Sequence, residues 1–110
     1  VPAKNNEKRF LPLERLEQAA ECLRCLAHPH RLRIVEILLE EECPVGELAL
    51  RCSLSQPSTS EHLRQMNAKG LLSKERRGHR VYYHVCGEQL APLFECIRRR
   101  YGKERHHENR

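Results

Sequence analysis

A mainly α-helical domain with one small β-hairpin, in the order helix, helix, helix, helix, strand, strand, helix, is the fold class this sequence predicts. Three observations carry the expectation. Apolar side chains recur at steps of three and four through residues 13–27, 32–39 and 90–101, the spacing of a helix with one buried face. Two shorter helical patterns, 45–52 and 55–69, are joined by a few polar residues, as in a helix-turn-helix. Val81, Tyr83 and Val85 alternate after Gly78, the period of a strand that follows a tight turn.

The first helix rests on Leu13, Leu16, Ala20, Leu23 and Ala27, with Leu26 beside them, and His28-Pro29 ends it. Pro29 suits the first turn of a second helix, where its missing N–H is not needed, and Leu32, Val35, Leu38 and Leu39 continue toward Glu41. Cys43-Pro44 interrupts it. Val45, Leu48 and Ala49 make a third helix ending near Cys52, and Ser55 is placed to cap the fourth. Leu63 and Met66 are expected to point inward there, Ser58, Thr59, His62 and Gln65 outward, with Gly70 as a left-handed cap. Segments 71–75 and 80–85 read as antiparallel strands, with Arg77, His79 and Arg80 at the tip. A last helix over 88–100 groups Leu90, Leu93, Phe94 and Ile97, with Tyr101 just beyond. The organisation expected is a flexible arm over 1–10, one domain over 11–101 and a disordered charged tail over 102–110.

With 110 residues, 39% hydrophobic content and five aromatics, the chain suits one domain with a modest aliphatic core. Pairing two copies would bury more apolar surface, so a symmetric homodimer is expected. There is no apolar run of about 18 residues to span a membrane, and the polar start lacks the apolar centre of a signal peptide, so a cytoplasmic location is expected. A net charge of +5 favours a polyanionic partner. Residues 53–80 hold six cations against two acids, whereas 36–47 hold five glutamates and no base, so one face should be basic and another acidic.

Chemistry gathers at Leu54-Ser55-Gln56-Pro57-Ser58-Thr59-Ser60-Glu61-His62-Leu63-Arg64 and the basic hairpin after it. Hydroxyls, an amide, an imidazole and an arginine from the first turns of a helix can reach base edges and phosphates in a major groove. A solvated helix face also tolerates Ser and Thr. Four hydroxyl residues at a helix start beside a basic hairpin favour double-stranded DNA as the partner. The competing class is a winged protein-interaction module whose cations meet an acidic protein. No nucleophile–base pair, phosphate loop or paired-acid motif is present, so an enzyme is not expected.

Leu26-Ala27-His28-Pro29-His30-Arg31-Leu32-Arg33-Ile34, Val45-Gly46-Glu47-Leu48-Ala49, the segment 54–63 and Arg80-Val81-Tyr82-Tyr83, in that order and spacing, resemble the ArsR/SmtB family of bacterial repressors over residues 20–100. The resemblance implies a winged helix-turn-helix homodimer, paired through its first and last helices, that binds operator DNA and releases it when an effector binds. It places Ser55, Gln56, Ser58, Thr59, Ser60 and His62 at the DNA and Arg64 at a phosphate. Arg77, His79 and Arg80 would follow the backbone or minor groove. Glu61 departs from the family pattern, in which a basic or neutral polar side chain often stands there, and a carboxylate would repel phosphate unless it accepts from a cytosine amino group.

The effector is sought among the cysteines. Six cysteines suit a disulfide framework only in a secreted chain, and Cys22-Leu-Arg-Cys25 is the single CxxC. Two metal sites known in metal-sensing relatives lack their ligands. Cys43 falls one place early before Pro44-Val45-Gly46-Glu47-Leu48, and Gly87, Gln89, Arg100 and Lys103 occupy the other site. Cys22, Cys25, Cys43 and Cys96 remain as effector-sensing candidates; Cys52 and Cys86 are assigned to the core. Three readings stay open for the candidates: buried hydrophobes, thiolate ligands, or redox and reactive-sulfur chemistry. At i and i+3 the Cβ atoms of Cys22 and Cys25 are roughly 5–6 Å apart, beyond the roughly 3.5–4.5 Å of a disulfide. An ion could span that gap. The cofactor is accordingly either a thiolate-bound soft metal or metalloid, or none, and His106-His107 is assigned to solvent.

Overall fold

The computed structural model describes residues 9–102, so most of the expected arm and tail, 1–8 and 103–110, lies outside the described residues. Helices α1 (Leu13–Leu26), α2 (Pro29–Glu40), α3 (Val45–Arg51) and α4 (Gln56–Ala68) precede strands β1 (Leu72–Arg77) and β2 (Arg80–Val85), and α5 (Leu90–Tyr101) follows. This is a winged helix-turn-helix. No helix among the described residues is long and apolar enough to cross a membrane.

Local chemistry explains the boundaries. Pro29 opens α2, and the His28 side chain caps it by accepting from the His30 N–H at 3.2 Å. Ser55 caps α4: its Oγ accepts from the Ser58 N–H at 3.1 Å. Both helices of the helix-turn-helix end in the same way. Leu54 N–H bonds Ala49 O and Ser53 N–H bonds Leu50 O after α3, and Leu71 N–H bonds Met66 O and Gly70 N–H bonds Asn67 O after α4. That paired arrangement needs a left-handed residue beyond each helix. Gly70 supplies it at φ 79°, and Ser53 does so without being glycine, at φ 57°.

The hairpin runs further than its apolar residues suggest. Its register extends from Leu72 opposite Val85 to Arg77 opposite Arg80, so β1 reaches two residues beyond 75. Gly78 has φ 63° in the two-residue connection and His79 is not positive, the combination a type II′ turn uses. Gly87, at φ 72°, turns the chain away from β2, and α5 starts at Leu90 where 88 was expected.

Ile34 and Val35 of α2, Leu48 of α3, Leu63 and Met66 of α4 and Leu72 of β1 converge in one core, which Leu90 and Phe94 of α5 extend. Each such burial contributes about 1.5–3 kcal/mol. An isolated bridge between Pro44 and Tyr82 fastens the wing to the start of α3. In α1 only Leu26 is buried. Leu13 remains 70% exposed and Leu23 58%, so most of the stripe expected to bury α1 has no cover within its own chain.

Candidate nucleic-acid interface

Three stripes divide α4. Thr59, Leu63 and Met66 form the buried one. Gln56, Ser60, Arg64 and Asn67, spaced by three and four, face a cleft of about 740 Å³ between α4 and the wing. Lys74, His79 and Arg80 line its other side. Ser58, His62 and Gln65, also spaced by three and four, share the opposite flank, where His62 and Gln65 bond Arg31 of α2, and Glu61 is exposed between the flanks. The helix is thus rotated relative to the expected outward set.

Thr59 is the clearest correction. Expected to look outward to DNA, it has no exposed surface, and its Oγ1 donates to Ser55 O at 2.9 Å, satisfying a buried hydroxyl inside the helix. His62 is half-buried. Its Nδ1 accepts from Arg31 Nε at 3.0 Å, and its ring meets that of His28 edge-on at 4.8 Å. Burial, then Arg31, His28 and His30, push its pKa below 6.5. Protonation would set two donors, Arg31 and His62, against each other.

Ser55 is exposed but already caps α4. Glu61 pairs with Arg64 and accepts from Gln65 Nε2 at 2.7 Å, so this carboxylate restrains two of the helix's long polar side chains. Lys74, Asn67 and Arg76 were missed as candidates. Strand period and register were the signal for the two wing residues: Lys74 lies opposite Tyr83 and Arg76 opposite Val81. Among the described residues, Lys74, Arg76 and Arg80 have no carboxylate partner within ion-pair distance.

The expected acidic face does not stand free. Glu40 faces Arg98 at 3.7 Å, Glu41 faces Arg51 at 3.1 Å and Glu42 faces Arg77 at 2.7 Å. Arginines from α5, α3 and β1 therefore meet three successive carboxylates. Arg77 also pairs with Glu75, so this expected DNA contact is engaged within the protein.

The sensing candidates are scattered. Cys22 and Cys25 are half-buried on α1, Cys96 is exposed on α5, and Cys43 is buried in the core. Burial, with Glu47 next, raises the Cys43 pKa and disfavours thiolate there. Burial also raises that of Cys52. Cys86, assigned to the core, is only half-buried. Arg31 Nη1 donates to Cys25 O at 3.0 Å and lies 3.3 Å from Cys25 Sγ, while Nη2 donates to Gln65 Oε1 at 3.0 Å. One arginine joins α1 to α4. Among the described residues, no three His, Cys, Asp or Glu side chains are grouped to hold a metal ion.

A polar helix stripe, a facing row of wing cations and the helix-turn-helix beneath them define the class: a winged helix-turn-helix DNA-binding transcription regulator. Residues 28–74 match the family described as bacterial regulatory protein, arsR family. The nodulation protein NolR of Rhizobium meliloti is 34% identical over 91 residues, 83% of this chain and 75% of that protein. The HTH-type transcriptional repressor SmtB of Mycobacterium tuberculosis is 40% identical over 82 residues, 74% of this chain and 61% of that protein. The crystal structure of NolR from Sinorhizobium fredii aligns with a TM-score of 0.75 at 33% identity, covering 84% of this chain and 98% of that one. The homodimeric winged helix-turn-helix DNA-binding domain Mb0332 of Mycobacterium bovis aligns at 0.74 and 28% identity, covering 86% and 88%. The chain belongs to the ArsR family.

Proposed function

We propose that this protein is a cytoplasmic ArsR-type repressor that binds an inverted-repeat operator in double-stranded DNA as a homodimer and leaves it when its thiols react. The observation that carries the DNA reading is the cleft in which Gln56, Ser60 and Arg64 of α4 face Lys74 and Arg80 of the wing. Amide, hydroxyl and guanidinium suit base edges and phosphates, and the wing cations suit phosphates. The bare apolar stripe of α1 supports pairing, and two copies would present two α4 helices to successive major-groove turns.

Thiol sensing is favoured by the Arg31 bridge. An adduct on Cys25 would crowd the guanidinium that touches His62 and Gln65, so chemistry on α1 has a physical route to α4. Cys22 lies one turn away, and Cys96 is exposed on α5. Among the described residues of one chain, no three His, Cys, Asp or Glu side chains are grouped to hold an ion, so a soft metal or metalloid would need thiols from two copies.

One experiment tests both parts. The protein is offered a random duplex pool, the enriched duplex is sequenced, and its release is followed on adding arsenite, cadmium, peroxide or polysulfide. A palindromic enrichment and a release lost in Cys22→Ser, Cys25→Ser or Cys96→Ser are expected. Enrichment of no sequence would defeat operator recognition, and release unchanged in all three variants would defeat thiol sensing.

A further inference from the structure

We propose that Arg77 is a wing-positioning residue, clamped by Glu42 and Glu75 against the α2–α3 loop, and that the wing meets phosphates through Lys74, Arg76 and Arg80 instead. The second half rests on the DNA-binding reading above. Arg77 Nε donates to Glu75 Oε2 at 3.0 Å, Nη1 to Glu42 Oε1 at 3.0 Å, and Nη2 to Glu42 Oε2 at 2.7 Å and Glu75 Oε1 at 3.1 Å. A guanidinium has five N–H donors. Four are therefore engaged, and the guanidinium carbon lies over the Tyr82 ring, 4.3 Å from its centroid.

Register separates Lys74 and Arg76 from the clamp: Glu75 lies opposite Tyr82, whereas Lys74 and Arg76 fall at the alternate positions, with side chains on the other face of the hairpin. Arg80 lies opposite Arg77 at the tip and so shares its face, but it lines the cleft beside α4 and pairs with neither carboxylate. Glu75 also meets His84 Nε2 at 2.6 Å. Two carboxylates around one guanidinium leave a net negative spot, which repels a phosphate rather than inviting it. The hydrogen bond from Arg77 holds the Glu75 carboxyl at about 2 and lowers that of Glu42, so the clamp stays ionised at neutral pH. Exposed single ion pairs contribute little, but a two-carboxylate, bidentate network is the geometry in which they count. The anchor is well placed: neighbouring Glu41 and Glu40 bind Arg51 of α3 and Arg98 of α5, so the wing is tied to the same segment that ties those helices.

The test compares native protein with Glu42→Gln, Arg77→Gln, Arg77→Lys and Arg80→Gln in two measurements. Amide hydrogen exchange of β1 and β2 is followed without DNA, and affinity for the duplex enriched from the random pool is followed against NaCl. Glu42→Gln, Arg77→Gln and Arg77→Lys should each speed wing exchange several-fold, because lysine keeps the charge but not the fork. Each should weaken binding several-fold with the salt slope unchanged. Arg80→Gln should leave exchange as it is and lower the slope by about 0.9, one phosphate contact. Native exchange rates in Glu42→Gln and Arg77→Gln overturn the clamp. So does tighter binding by Glu42→Gln together with a slope reduced in Arg77→Gln, since that is the behaviour of a freed phosphate contact. If the native protein enriches no duplex, the phosphate assignment falls with the DNA reading, and exchange alone still decides the clamp.

Discussion

Thr59 shows how a residue type misleads when its stripe is misassigned. A threonine in the first turns of a polar helix looks like a groove contact, but packing places it beside Leu63 and Met66, and its hydroxyl is satisfied by Ser55 O. Thr59→Val preserves the shape and removes that bond. It should cost about 1 kcal/mol in denaturant unfolding and leave affinity for the enriched duplex unchanged. A loss of affinity in a variant that is still folded would return Thr59 to the interface. His62 and Arg77 make the related point that a polar side chain can be engaged by its own protein. Their partners, Arg31 and Glu42, are 31 and 35 residues away. Composition cannot disclose such pairs.

The caps at the level of elements were partly legible. Ser55 before α4, Pro29 at the start of α2 and Gly70 after α4 carry their conformations in their residue types. Ser53 does not, yet it takes the left-handed place that closes α3 and allows the turn between the two helices. Substitution at Gly70 separates conformation from crowding, because a Cβ there would meet nothing within 4 Å. Gly70→Ala should cost about 1–2 kcal/mol in thermal or denaturant unfolding, the penalty of a left-handed L-residue alone. A neutral result would show that the chain leaves α4 with another geometry. The length of β1 was less legible, since Ser73 to Arg77 are polar and only pairing with β2 makes them a strand.

For the whole molecule, α1 is the element that a single chain explains least. Its Leu13, Leu16 and Leu23 and the neighbouring Phe10 and Leu11 are exposed, as is Tyr101 on α5. The Cα radius of gyration is 17.4 Å, against roughly 13 Å for a compact domain of about this length. A second copy covering these side chains accounts for their exposure. Joint substitution Leu16→Glu and Leu23→Glu should give a folded monomer by sedimentation, with helical content retained and duplex affinity reduced. A native-sized dimer from that variant would take α1 out of the interface.

Order of elements, most of the core and the place of α4 follow from residue types alone, because hydrophobic period, caps and turn residues act over a few neighbours. Packing alone selects which face of α4 meets the wing, and that Glu42 and Glu75 claim Arg77 while Lys74, Arg76 and Arg80 have no carboxylate partner among the described residues. Those outcomes depend on which distant side chains are brought within hydrogen-bonding reach when the elements pack, and local residue preference carries no record of that.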